Sequence, residues 1–193
     1  MDEKTIIDTL GDLKHRVFPR PFERLGVSGK KLVGVEIGVF KGLHAESLLT
    51  HLDIECLYLI DPYSVYATND SVRQYCGDDK DAMEIAKKEC EERLAPYADK
   101  IVWILKNSMD ALNDIPDGLD FAYIDGNHEE NNVREDVANY YPKVKVGGII
   151  GGHDFYNGHA RDHDGVVRAV CEFAIQNKLP LQVELPDWWI KKP

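Results

Sequence analysis

The sequence predicts a doubly wound, mostly parallel α/β sheet of about seven strands with one antiparallel strand near an edge. Three observations carry that prediction. Apolar runs of strand length at 32–37, 57–60, 101–105, 121–124 and 146–152 alternate with stretches whose apolar residues recur at helical spacing. Several of these runs stop at Gly, Asp or His, the residue types that gather at the carboxyl edge of a parallel sheet, where such folds bind their ligands. The last two runs, 181–185 and 188–191, flank Pro186-Asp187 and read as a closing hairpin, which supplies the antiparallel strand.

The elements follow in order. Ile6, Ile7, Leu10, Leu13 and Val17 are spaced as one face of a helix, and Pro19 and Pro21 end it, so residues 1–30 are expected to form a helical extension of a single domain spanning 1–193. Strand 32–37 leads into a helix at 43–52, and strand 57–60 is halted by Asp61-Pro62. Residues 62–80 lack a clean period, are rich in Asp, Asn, Ser and Tyr, and are long for a loop in a compact domain, which predicts a lid. Tyr63, Tyr66, Arg73 and Tyr75 could stack on or hydrogen-bond a substrate there, although an ordinary surface loop with tyrosines has the same composition. Further helices are expected at 81–94, 129–141 and 166–176. His44 and His51 fall on the first sheet helix and read as helix-face residues.

Composition narrows the function classes. With 193 residues, 44% hydrophobic and 30% charged, the chain is long enough for one sizeable core and short for two domains. A net charge of -11 disfavours nucleic acid as a partner, because phosphate-backbone binding relies on cationic side chains. Cys56, Cys76, Cys90 and Cys171 form no C-x-x-C pair and no regular spacing, so neither a zinc knuckle nor a disulfide framework is expected. The amphipathic, acidic amino terminus is unlike a secretory signal, and no apolar stretch reaches membrane-spanning length. The expectation is a cytoplasmic protein without membrane contact; homo-oligomer formation is left open.

Two groups of motifs carry chemistry. In the first, Glu36-Ile37-Gly38-Val39-Phe40-Lys41-Gly42 joins strand 32–37 to the helix after it. Gly38 and Gly42 allow close approach and a tight turn, while Glu36 supplies a carboxylate acceptor. This is not the G-x-G-x-x-G fingerprint of dinucleotide binding, which argues against a nicotinamide-dependent oxidoreductase. Asp61 ends the next strand at the distance downstream where an acidic residue accepts from ribose hydroxyls. Either residue alone could be a turn former, but Glu36 and Asp61 on adjacent strand ends favour a nucleoside site. In the second group, Asp125-Gly-Asn-His128 closes strand 121–124, and His153-Asp154 closes strand 146–152. Asp125 and Asp154 are hard oxygen donors, and two residues separate His128 from Asp125, so one turn can bring its imidazole to the same place. A hydrogen-bonded turn at a strand end is the plainer reading of His153-Asp154, and a surface helix start that of His128. His159, Asp162, His163 and Asp164 form a further polar cluster, better read as loop solvation.

Glu36-x-Gly38-x-x-x-Gly42, residues 57–61, Asn107-Ser108, Asp125-x-x-His128 and His153-Asp154, in this order and spacing, resemble the class I S-adenosylmethionine-dependent methyltransferases. More narrowly, the chain is similar to the metal-dependent small-molecule O-methyltransferases of the catechol type and to the sugar and macrolide O-methyltransferases, over roughly residues 30–177. The resemblance implies a Rossmann-like methyltransferase fold and S-adenosylmethionine as cofactor. It assigns Glu36, Gly38 and Gly42 to the methionine end of the cofactor, Asp61 to the ribose, and Asn107 and Ser108 to the adenine. It also gives Asp125, His153 and Asp154 to a divalent metal and makes His128 the catalytic base. His153 stands where the family commonly has an acidic residue; nitrogen ligation widens the choice from magnesium or manganese to other transition metals. The implied acceptor is a hydroxyl of a small molecule or sugar. A noncatalytic nucleoside-binding module on the same fold is the alternative, since fold does not fix function.

Overall fold

The computed structural model describes residues 18–64, 80–155 and 164–193. The helix expected over 6–17, most of the lid at 62–80, and His159, Asp162 and His163 lie outside the described residues. Seven strands form one sheet in the order β3-β2-β1-β4-β5-β7-β6. They are β1 (Leu32–Ile37), β2 (Ile54–Ile60), β3 (Ile101–Ile104), β4 (Leu119–Ile124), β5 (Val144–Gly152), β6 (Leu181–Glu184) and β7 (Asp187–Lys191). The pairings from β3 across to β5 are parallel, whereas β7 runs antiparallel to both β5 and β6. The expected antiparallel strand one place from an edge is therefore present.

Helices α1 (Leu43–His51), α2 (Lys80–Leu94), α3 (Ser108–Ala111), α4 (Glu130–Lys143) and α5 (Asp164–Asn177) make the connections. Parallel neighbours require crossovers of this kind, which cover both faces of the sheet. Alternation along the strands divides the core. Phe121 and Tyr123 of β4 pack with Phe22, Leu48, Leu57 and Trp189 on one face, while Ala122 and Ile124 pack with Val35, Val137, Val170 and Trp188 on the other.

The described part of the expected amino-terminal helical extension is one π turn, Phe22–Gly26, with Val27 already extended. Phe22 and Glu23 of that turn and Arg20 before it are buried. The segment is thus part of the core, held by the Phe22 N–H donating to Asp187 Oδ2 at 3.0 Å.

The order places the topological switch between β1 and β4, from which the connections run in opposite directions and open a crevice at the carboxyl edge. Ladder bonds continue one step beyond the strands at this edge. Gly38 N donates to Ile60 O (2.9 Å), Asp125 N to Ile37 O (2.8 Å), His153 N to Ile124 O (3.1 Å) and Asp61 N to Ile104 O (3.2 Å). Gly38, Asp61, Asp125 and His153 are therefore fixed by sheet hydrogen bonds on their own backbone.

Candidate active site

The β1 loop meets the β4 end without room for a side chain. A Cβ on Gly38, where φ is +84°, would lie 2.1 Å from Asp125 O, so only glycine permits this approach. Gly42, at φ +72°, precedes α1 and would press a Cβ to 2.5 Å from Cys90 Sγ. Both glycines therefore have internal packing reasons in addition to any ligand.

Asp61 organises the same loop. Its Oδ2 accepts from Val39 N and Phe40 N, both at 2.9 Å, and its Oδ1 accepts from Tyr63 N at 2.8 Å. Phe40 and Tyr63 both adopt positive φ, and the Tyr63 hydroxyl donates to Phe40 O at 2.8 Å, closing the turn. Asp61 thus anchors the loop and still presents lone pairs on Oδ1.

Glu36 is 1% exposed and belongs to a buried chain of charges that sequence spacing did not reveal. His44 Nδ1 lies 3.2 Å from Glu36 Oε1, and His44 Nε2 lies 3.2 Å from Glu23 Oε1. Glu23 also accepts from Arg20 N and from Ser47 Oγ. His44 is accordingly an interior residue, on a face of α1 that is turned onto Tyr123 with ring centroids 4.0 Å apart. Burial opposes its charge, but Glu36 and Glu23 together overcome it and raise the imidazole pKa. Burial in turn pushes the Glu36 carboxyl up, with His44 pulling the other way. Glu36 Oε2 is buried with no hydrogen-bond partner among the described residues, an open acceptor beside the β1 turn.

Asn107 stands at the position before α3, and its Nδ2 donates to Asp110 Oδ2 at 3.3 Å. The Ser108 carbonyl accepts from Tyr140 Oη at 2.6 Å, and its side chain bonds Asp136 on α4. The pair follows β3 in the chain and packs against α4 through Ser108.

The donors at the ends of β4 and β5 converge. His128 Nε2 is 2.9 Å from Asp154 Oδ2 and 3.8 Å from Asp125 Oδ1. One ligand atom each from Asp125, His128 and Asp154 falls within 4.8 Å of the other two, a set that could hold a metal ion. His153 stands alongside, its Nδ1 3.2 Å from Asp154 Oδ1 and 3.9 Å from Asp125 Oδ1. The expected ligand set named His153 and kept His128 apart as base; in the structure His128 completes the triangle and His153 flanks it. Asp154 adopts φ +57°, the left-handed region that Asp tolerates better than most non-glycine residues. Burial disfavours a charged His128, but Asp154 and Asp125 overcome it and hold its pKa up to about 10. Burial likewise opposes the Asp154 charge, yet His128 keeps that carboxyl well below its usual range. Two carboxylates and an imidazole, already paired in charge and partly shielded from water, fit a divalent cation that takes oxygen and nitrogen donors.

The chain belongs to the methyltransferase domain family, whose model matches residues 35–155. Its fold is that of the class I S-adenosylmethionine-dependent enzymes. Among solved structures, it is similar to the O-methyltransferase NovP, at 17% identity over 96% of this chain and 80% of that one, with a TM-score of 0.61. It is also similar to the N-methyltransferase NodS from Bradyrhizobium japonicum, at 15% identity over 100% and 99% of the two chains, TM-score 0.59. A third likeness is to an rRNA methylase from Streptococcus thermophilus, at 14% identity over 100% and 99%, TM-score 0.54. No curated protein matches the chain. Among the described residues, no helix is long and apolar enough to cross a membrane.

Arg20, Glu23 and Tyr123 are the residues at this site that sequence reasoning missed. Arg20 Nη1 donates to Tyr123 Oη at 2.6 Å and to Asp125 Oδ2 at 3.0 Å, and Tyr123 Oη donates to Asp187 Oδ1 at 3.1 Å. Arg20 and Glu23 precede the matched region and carry no motif. The one available signal was the charge pair itself, inside a Pro- and Phe-bearing stretch, PRPFER, that can be buried.

Proposed function

We propose that this protein transfers the methyl group of S-adenosylmethionine to a hydroxyl of a small molecule or sugar, assisted by a divalent ion held by Asp125, Asp154 and an imidazole. The observation that carries the reading is the convergence of Asp125, His128 and Asp154 at the carboxyl edge, directly against the Gly38 loop. A noncatalytic cofactor-binding module would use the Glu36 and Asp61 strand ends and have no need of these donors. The fold alone does not select the acceptor, since O-, N- and RNA methylation all occur among the similar structures. The net charge of -11 argues against an RNA acceptor, and paired hard donors suit an oxygen acceptor.

When bound, the cofactor supplies an electrophilic methyl group on a sulfonium, and the divalent ion lowers the pKa of a hydroxyl and orients it. The chain's own residues do the rest. Glu36 Oε2, left open because His44 takes the other oxygen, is a buried acceptor suited to the ammonium of the methionine moiety. Asp61 Oδ1 is suited to ribose hydroxyls, while its Oδ2 keeps the Gly38 loop in shape. Gly38 and Gly42 allow backbone approach, and Asn107 and Ser108, in the turn after β3, are assigned to the adenine. His128, oriented by Asp154, is suited to take the proton that the acceptor hydroxyl loses, once its own Nε2 proton has left to solvent. His153, buried against Asp154 Oδ1, steadies that carboxylate.

Calorimetric titration with S-adenosylmethionine and S-adenosylhomocysteine, with and without manganese, tests the reading together with methyl transfer to a panel of phenolic and sugar hydroxyls. Cofactor binding in both conditions, with transfer only when the ion is present, is the expected result. Cofactor binding with no transfer to any acceptor and no ion binding would favour the noncatalytic module.

A further inference from the structure

The guanidinium of Arg20 stands directly behind the metal-type donors. It is buried, and Nη1 is shared between Tyr123 Oη at 2.6 Å and Asp125 Oδ2 at 3.0 Å. Its backbone is fixed as well, since Arg20 N donates to Glu23 Oε1 at 3.1 Å. One oxygen of Asp125 is thereby committed to the arginine. The other, Oδ1, is the oxygen that faces His128 and His153.

A cation so placed has two physical effects. It prevents Asp125 from turning both oxygens toward an ion, and it adds a fixed positive charge one carboxylate away from where a divalent ion would sit. A purely structural arginine could equally have been paired with Asp187, which Tyr123 already bonds.

We propose that Arg20 is a positioning residue of the divalent-ion centre, holding Asp125 to a single outward oxygen and keeping ion affinity low enough for exchange. This rests on the metal reading given above. It also ties the segment before the matched domain region to the chemistry at its centre.

Manganese titration of the full chain, freed of metal and followed by calorimetry and by the electron paramagnetic resonance signal of the free ion, tests this. Arg20→Gln keeps donors for Tyr123 and Asp125 but removes the charge, and is expected to bind manganese about tenfold tighter or more, from the Coulomb repulsion removed. Arg20→Lys, which keeps the charge, is expected to stay within about threefold of wild type on the same grounds. Structural damage would move affinity in the opposite direction, so Arg20→Gln binding equal to or weaker than wild type, in protein with an intact thermal melt, overturns the proposal. If Arg20→Gln does not fold, Arg20→Met removes the same charge with a side chain of closer length and must also tighten manganese; unchanged or weaker binding overturns the proposal there too. Wild-type protein that binds no divalent ion would instead sink the metal reading itself, and this inference with it.

Discussion

His128 Nε2 lies 2.9 Å from Asp154 Oδ2, joining the turn after β4 to the turn after β5. The contact joins the carboxyl ends of two strands that already pair through their backbone ladder. It also fixes the protonation state of the imidazole, because the two neighbouring carboxylates favour the cation more than burial disfavours it.

Metal-free stability should therefore depend on pH through His128. Its folded pKa, about 10, lies above the unfolded value of 6.5, so its contribution is full below about 6.5 and is lost as pH rises through about 10. Chelator-treated protein should lose on the order of a few kcal/mol of this contribution across that window. His128→Gln should flatten the curve. Urea melts at intervals from pH 6 to 10 measure both, and parallel curves would show that the pairing is not formed in solution.

Asp125→Asn and Asp154→Asn should each abolish manganese binding and hydroxyl methylation. Cofactor affinity should change by no more than about threefold, because neither carboxylate lies on the β1–β2 side of the crevice. Asparagine is the apt replacement at 125, since alanine would strand the buried Arg20 charge at a cost of about 3–5 kcal/mol. Full-rate transfer by chelator-treated wild type would remove the ion from the reaction.

Asp61→Ala should weaken S-adenosylmethionine binding about tenfold or more, by losing a charge-assisted acceptor and the anchor of the Val39 and Phe40 amides. Part of that loss should appear as a lower melting temperature without cofactor. Unchanged cofactor affinity by calorimetry would mean that Asp61 serves the loop alone.

Asp136→Asn should stabilise the protein at neutral pH. Burial lifts the Asp136 carboxyl from 3.8 to about 6, against the pull of its bond to Ser108. The folded state therefore binds more protons than the unfolded state between those values, and stability falls as pH rises from about 4 to 6. Above pH 6 the variant should gain about 2–3 kcal/mol, and below about pH 4 almost nothing. Denaturant midpoints at pH 4 and pH 7.5 check it; a gain of equal size at both would point to a cause other than ionisation.

The strands were legible because a parallel strand buried on both faces must be a near-continuous apolar run, as at Phe121-Ala-Tyr-Ile124. Their ends were legible for a related reason. Gly38, Asp61, Asp125 and Asp154 each interrupt such a run, and only the carboxyl edge of the sheet gives polar residues a place there. Small shifts remained at element ends, such as β5 beginning at Val144 rather than 146, where ladder bonds to a neighbour override local composition.

The sequence by itself determined the fold class, the strands and the residues at their carboxyl ends, because each follows from local periodicity and from where a run of apolar residues stops; the strand order, and with it the switch point, is tertiary. Only the tertiary structure decided which of those residues face one another. That His128 comes within reach of both Asp125 and Asp154, with His153 alongside, is a matter of how the turns after β4 and β5 face each other, which no spacing encodes. Arg20, Glu23 and His44 were beyond reach for the same reason. A buried charge is tolerated only beside its partner, and the partners of Arg20 at Tyr123 and Asp125 lie across the whole width of the matched domain.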